Sequence, residues 1–469
     1  MLDWNKLLSG ERYRKSESQS YAHRNEFDKD YERIIYSSSL RRLQDKAQVF
    51  PLQNNDFIRT RLTHSLEVAS LGRSLAWNIG DWLIKKEQFE DFAKAKELSS
   101  LVEVACLVHD LGNPPFGHYG EDIIRKWFKN WFETEEFKNE VVKKFGEDLN
   151  SQQKNDFIYF EGNAQGIRIL SKLQFLNDQY GANFTYATLA TLMKYPWASN
   201  NEIVESGKKE KFGYFHSENE LFRLISNETG IGNCRHPATY LLEAADDIAY
   251  LTADIEDAVK KDVFDWDKVY RDIRHEFGDL YPKEFYRLEH LRRKALLNKV
   301  PSKDLINVQN FKVVIQGIMI LAVVETFKEN YELIMKGEFE GDLLSNSTAR
   351  TLSDKLSEVA FKDVFSTKEV LTLELVGDRV LTDLLDLFVT AVVNIEGIKK
   401  TKTKHEKLVH LISENFRHIQ RISEKGEPTV EFKDLPLYNR LQLVTDFISG
   451  MTDGYAVNLH QELLGVKLP

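Results

Sequence analysis

The chain has 469 residues, 42% hydrophobic and 12% aromatic, which is enough apolar material for a sizeable core in two or three domains or in one large helical body with appendages. Its 73 acidic residues against 63 basic ones give a formal charge of -10, so the bulk balance marks no nucleic-acid binder, although local patches remain open. Cys106 and Cys234 are the only cysteines, which excludes a disulfide framework and a thiolate zinc site and fits a reducing compartment.

No apolar leader opens the chain, and its longest apolar run, 318–324, is far too short to span a bilayer, so a soluble, cytoplasmic protein is expected. Residues 1–35 are polar and charged, with a Ser-rich turn, and read as an arm that lies across a partner or is disordered. Residues 33–48 have helical spacing, with Ile34, Ile35, Leu40, Leu43 and Ala47 on one face. A polar turn at 53–56 follows. The next helix opens at 59–69, with Thr63 or Ser65 as its cap and His64 near its start, and runs to about Trp82.

The run 101–108 is so apolar that only a buried helix would carry it, and it ends in His109 and Asp110. A carboxylate and an imidazole at a buried end cost several kcal/mol unless paired or bound to a cation. Gly112, Pro114, Pro115 and Gly117 then turn the chain and bring His118 and Glu121 back toward the same point. Residues 127–154 read as a solvated helical insertion. At 160–168 a turn enters a helix, and Asn163 is either an anion contact at the helix start or its cap. A helix at 185–193 stops at Lys194-Tyr195-Pro196-Trp197, and 200–215 is a Lys-rich loop able to form a short hairpin or lid.

Pro237 starts a helix that runs to about Val259 and sets Asp246, Tyr250 and Asp254 at i, i+4 and i+8, on one face. From 262 to 410 helical patterns alternate with short polar breaks, and 318–335 reads as core or subunit packing. The basic run 399–404 reads as a solvated loop, and 438–456 as a further amphipathic helix and turn in which Arg440 is either structural or reaches a ligand.

His64, His109, Asp110 and Asp246 thus form a set of two imidazoles and two carboxylates on three helices. Such a set suits one divalent cation, with Mn²⁺, Fe²⁺, Co²⁺, Ni²⁺ or Zn²⁺ more natural than Mg²⁺. His118 is placed to donate or shuttle a proton and Glu121 to orient or activate water. Arg61, Asn163 and Lys194 offer groups for a polyphosphate.

The spacing of His64, His109-Asp110 and Asp246 resembles the H...HD...D signature of the HD-domain metal-dependent phosphohydrolases. More narrowly, Arg41-Arg42-Leu43-Gln44, 59–68, 109–121, 160–165, Lys194-Tyr195-Pro196, Arg235-His236-Pro237, 243–250 and Gly450-Met451-Thr452-Asp453 resemble the deoxyguanosine triphosphate triphosphohydrolases, in the family's order. The resemblance implies an all-α fold with an HD-domain core over 36–260, helical insertions, a helical C-terminal region over 261–469 and at most a minor β-hairpin. It implies hydrolysis of a dNTP, dGTP favoured, to the deoxynucleoside and intact triphosphate. One metal per subunit, Mn²⁺ first with Mg²⁺, Fe²⁺, Co²⁺, Ni²⁺ or Zn²⁺ as alternatives, would sit on His64, His109, Asp110 and Asp246, with His118 and Glu121 as the catalytic pair.

By the same resemblance Gln48 would bind the 3'-hydroxyl and Val49 would crowd a 2'-hydroxyl. Tyr250 would pack on the sugar, Asp254, Arg61, Asn163, Lys194 and Tyr195 would line the phosphates, and Arg440 would belong to the base or phosphate pocket. It also implies a homo-oligomer, hexamer or tetramer, with single-stranded DNA or a nucleotide effector as a further partner. Another HD phosphohydrolase, acting on nucleoside monophosphates or guanosine tetraphosphate, and a nucleotide-sensing or DNA-binding assembly protein with little turnover are the competing readings.

Overall fold

The computed structural model describes the chain except residues 16–23, 51, 53–57, 147, 175–179, 206–210, 396, 398–401, 423–429 and 469. The Ser-rich turn, the turn at 53–56, Lys208, Lys209 and residues 399–401 of the basic run therefore lie outside the described residues. Every regular element among the described residues is a helix, and three isolated bridges, Arg12 to Thr185, Ala47 to Thr60 and Ala198 to Tyr214, are the only extended pairings. The all-α expectation holds. Among the described residues of 200–215 there is a one-turn helix, Glu202–Glu205, and a single bridge between Ala198 and Tyr214.

Two apolar cores organise the chain. In the first, the Arg61–Lys85 and Phe92–Val108 helices pack side by side and are crossed by Pro237–Lys260 and Lys303–Glu329. The first pair approaches closely because Gly72 lacks a side chain: a Cβ there would stand 2.4 Å from Cys106 Sγ. The Arg61–Lys85 helix is capped by Thr60, not by Thr63 or Ser65. Thr63 instead returns a bond to the Thr60 backbone, so the two close a capping box. Pro237 takes the first turn of its helix, as expected. Lys303–Glu329 is long and apolar enough to cross a membrane, but 56% of that apolar window is buried inside the protein, which makes it a core helix.

The second core is built by Gly117–Phe132, Ser151–Ile158, Lys368–Asn394, Leu437–Ser449 and Asp453–Leu463. Here the sequence reading of 127–154 is corrected. Phe128, Phe132, Phe137 and Phe157 are buried, with ring centroids 4.7 Å apart for Phe128 and Phe157 and 4.9 Å for Phe132 and Phe137. Each such ring contributes about 2 to 3 kcal/mol on leaving water. The charged residues take the outer face of the same helices.

Two further expectations change. Residues 33–48 are not one helix: Glu26–Ile35 ends, Ser37 caps a new helix Ser38–Arg42, and a 3₁₀ turn Leu43–Asp45 follows. The first residues are not a loose arm either. Trp4, Leu7 and Leu8 are buried in the first core, Trp4 Nε1 donates to the Tyr331 hydroxyl at 3.0 Å, and the Leu2 amide to the Met335 carbonyl at 2.7 Å. Apolar residues at i, i+3 and i+4 explain the docking.

The chain passes from one core to the other through 109–117. Leu111 belongs to the first and Phe116 to the second.

Candidate metal and catalytic centre

The Phe92–Val108 helix ends on His109, whose Nδ1 bonds the Cys106 carbonyl at 2.7 Å. That bond places a proton on Nδ1 and turns Nε2 toward Asp246 Oδ1 at 3.4 Å and Asp110 Oδ1 at 3.5 Å. His64, one turn into its own helix, brings Nε2 to 3.0 Å from the same Asp246 oxygen. The two imidazoles lie 5.5 Å apart at 66°. One donor atom from each of His64, His109 and Asp246 falls within 4.8 Å of the others, so three helices converge on one point.

The electrostatics of that point favour positive charge. Burial alone would lower the His109 pKa, but Asp110 and Asp246 outweigh it and raise it to about 9. Burial would raise Asp246, yet His109, His64 and Lys194 hold it well below the usual carboxylate range. His109 Nε2 and His64 Nδ1 are buried and make no hydrogen bond. An orphaned buried nitrogen costs about 1–3 kcal/mol, and a divalent cation between two imidazoles and a carboxylate removes the cost at His109 while supplying the charge the site prefers. The residues fit such an ion. Asp110 stands at the edge of this group: Oδ1 lies 3.5 Å from His109 Nε2 and accepts from Asn113 Nδ2 at 2.5 Å, while Oδ2 accepts from Arg61 Nη1 at 2.8 Å.

The turn after Asp110 is tight. Phe116 and Gly117 both take left-handed backbone, at φ 63° and 61°, and a Cβ on Gly117 would stand 2.5 Å from Arg61 Nη2. The Gly117–Phe132 helix then starts, which sets His118 and Glu121 one turn apart on one side. His118 Nδ1 and Glu121 Oε2 are 2.9 Å apart, while the other carboxylate oxygen accepts the Gly162 amide at 2.7 Å. Glu121 is buried and His118 opens to solvent. The hydrogen bond to Glu121 raises the His118 pKa.

The remaining residues divide. Arg61 and Lys194 reach the cluster, the latter with Nζ 3.6 Å from Asp246 Oδ2. Asn163 is not the helix cap. Glu161 caps Gly162–Arg168, and Asn163 Nδ2 donates to Glu161 Oε1 at 2.6 Å. Gln48 Oε1 is buried without a partner, Val49 packs on the small cluster around Phe50, and the Tyr195 ring lies under Lys211 Nζ at 5.9 Å. Tyr250 lines the first core on the Asp246 helix, and burial with Asp257 nearby pushes the Asp254 carboxyl well above its ordinary range.

Arg440 corrects an expectation. Its guanidinium donates to the carbonyls of Val392, Ile395, Leu435, Phe432 and Lys433 between the rings of Phe145 and Phe432, so it clamps the second core. Sequence reasoning also missed Lys46, a fully buried amine behind the loop, because a lone lysine in a short polar stretch has no periodicity to betray its burial.

Residues 61–163 match the HD domain and 390–462 the phosphohydrolase-associated domain. With the all-helical fold and the His–Asp cluster, these define an HD-type phosphohydrolase. The deoxyguanosinetriphosphate triphosphohydrolase-like protein of Listeria monocytogenes is 39% identical over 474 residues, covering 99% of this chain and all of that protein. The like-named protein of Pseudomonas aeruginosa is 34% identical over the full length of both. The deoxyguanosinetriphosphate triphosphohydrolase of Salmonella paratyphi A is 33% identical over 94% of each chain. The chain belongs to the deoxyguanosinetriphosphate triphosphohydrolase and triphosphohydrolase-like family.

Proposed function

We propose that this protein hydrolyses a deoxynucleoside triphosphate, dGTP favoured, to the deoxynucleoside and intact inorganic triphosphate. The observation that carries the reading is the pairing, across one turn of chain, of a cation-favouring His64–His109–Asp246 cluster with an open, carboxylate-bound imidazole at His118. A divalent cation held by His64, His109, Asp246 and Asp110 would neutralise phosphate charge and lower the pKa of water beside it.

The chain's own groups supply the rest. Water attacks the α-phosphorus, giving up its proton to solvent, and the bond between that phosphorus and the 5'-oxygen breaks. His118, whose pKa the hydrogen bond to Glu121 raises, gives its Nε2 proton to that oxygen as the deoxynucleoside leaves. Glu121 has both oxygens engaged, so it orients and charges the imidazole. Arg61 and Lys194, whose positive ends already lie at the cluster's carboxylates, turn to the phosphate chain, and Asn163 and Tyr195 lie along it. Asp254, whose carboxyl burial pushes well above its ordinary range, lines the same stretch. The unpartnered Gln48 Oε1 takes the 3'-hydroxyl, Val49 denies room to a 2'-hydroxyl, and Tyr250 backs the sugar.

Mn²⁺ titration calorimetry beside a turnover assay tests the division of labour. Asp246→Ala is expected to lose metal and turnover together. His118→Ala is expected to keep wild-type metal affinity and lose about 10²- to 10⁴-fold in rate. Metal retained in Asp246→Ala, or an unchanged rate in His118→Ala, contradicts the assignment.

A further inference from the structure

The loop that presents Asp110 is tied from behind by two buried charges on opposite sides of the chain. Lys46, 3% exposed, donates its Nζ to the Asn113 carbonyl at 2.5 Å and to the Ser449 carbonyl at 2.8 Å. Asp453, also 3% exposed, accepts the Phe116 amide at 3.0 Å on one oxygen and the Ala47 amide at 2.9 Å on the other. Asn113 in turn holds Asp110 Oδ1 through its Nδ2, and the Lys46 carbonyl accepts the amide of Arg61, the residue that holds Asp110 Oδ2. Both Asp110 oxygens are therefore aimed by groups that Lys46 anchors. The turn at 449–453, between the Leu437–Ser449 and Asp453–Leu463 helices, is the other end of the tie.

A buried amine and a buried carboxylate are costly to keep, and both spend their capacity on main-chain atoms of one loop and one turn. From this the geometry points to Lys46 and Asp453 as positioning residues for the metal site: they fix the loop at 113–117, and through Asn113 and Arg61 the Asp110 carboxylate, so that the C-terminal helices set how well the cluster holds a divalent cation. The inference rests on the cluster being a metal site and not on which substrate is cleaved.

Chelator-treated full-length protein is titrated with Mn²⁺ by calorimetry, with fold monitored by circular dichroism. Lys46→Met, Asp453→Asn and Asn113→Ala are each expected to weaken Kd by about 10- to 100-fold, the range seen when groups orienting a metal ligand are removed. Because they act in series, Lys46→Met with Asn113→Ala loses no more than the worse single change. Lys86→Met, an exposed lysine at a helix end, leaves Kd unchanged. Folded Lys46→Met or Asn113→Ala that binds Mn²⁺ within about twofold of wild type overturns the proposal, even if its melting temperature falls. If Lys46→Met does not fold, Asn113→Ala decides, since it keeps the lysine's carbonyl partner and removes only the link to Asp110. Wild type that binds no Mn²⁺ sinks the metal reading and this proposal together, whereas binding of equal strength in all variants sinks this one alone.

Discussion

Single side chains at the centre are constrained from two directions, by charge and by backbone. Gly117 shows the second: its φ of 61° is open to glycine, and the space where a Cβ would go is filled by the Arg61 guanidinium. Gly117→Ala is expected to cost about 1–2 kcal/mol and to displace Arg61, lowering turnover as well. Urea unfolding measures the first, and a variant as stable as wild type would mean that the loop relaxes without strain. At this scale the sequence was informative where a polar residue interrupts an apolar pattern. His109 and Asp110 stand out because they end a buried helix, and Asp246 because the helical repeat puts it on the face that meets them. Lys46 does not stand out, and Asp453 does so only as the end of a family block with no role attached, since their partners are carbonyls and amides of residues far along the chain. From its residues Arg440 is either structural or ligand-reaching, the family resemblance implies the pocket, and its five carbonyl partners show the structural role.

Helices carry these side chains to the centre, and one of them has a titratable start. His236 caps Pro237–Lys260, its Nδ1 accepting the Ala238 amide at 3.0 Å, while Nε2 donates to the Leu7 carbonyl at 2.9 Å. The bond accepted at Nδ1 needs the neutral ring, whereas the Nε2 donation survives protonation, and burial lowers the pKa from 6.5 to about 4. A folded-state pKa below the unfolded value gives stability that is full above about pH 6.5 and is lost as pH falls through about 4, worth roughly 3 kcal/mol in all. Urea unfolding from pH 7 to pH 4 is expected to show that decline in wild type and a shallower one in His236→Asn, whose side chain still caps the helix. An equal slope in a folded His236→Asn would place the acid sensitivity elsewhere. The helices themselves were legible from period and punctuation, including the Pro237 start and the end at His109. The segment 127–154 was not, because its phenylalanines alternate with lysines and glutamates, and only packing against Lys368–Asn394 and Leu437–Ser449 shows which face wins. Nor was the break at Ser37, where a capping serine ended a repeat that continued on paper.

On the scale of the molecule, the cluster lies where two cores meet, with the loop at 109–117 as the bridge. The HD-domain match ends at 163, before Asp246, so the third donor of the cluster comes from a helix beyond it. The matched C-terminal segment, 390–462, supplies the Ser449 carbonyl and Asp453 behind the loop. The sequence made the H...HD...D spacing readable along the whole chain, while the join between the cores was hidden, since no local pattern says which helices share an interior. The central claim is that this junction cleaves at the α-phosphorus. The direct measurement is chromatography of the products from dGTP, the other three dNTPs and GTP with Mn²⁺, run with and without a second nucleotide. Deoxyguanosine and intact triphosphate are expected in equal amounts from dGTP, with little product from GTP. Release of orthophosphate or pyrophosphate in place of triphosphate would contradict the claim.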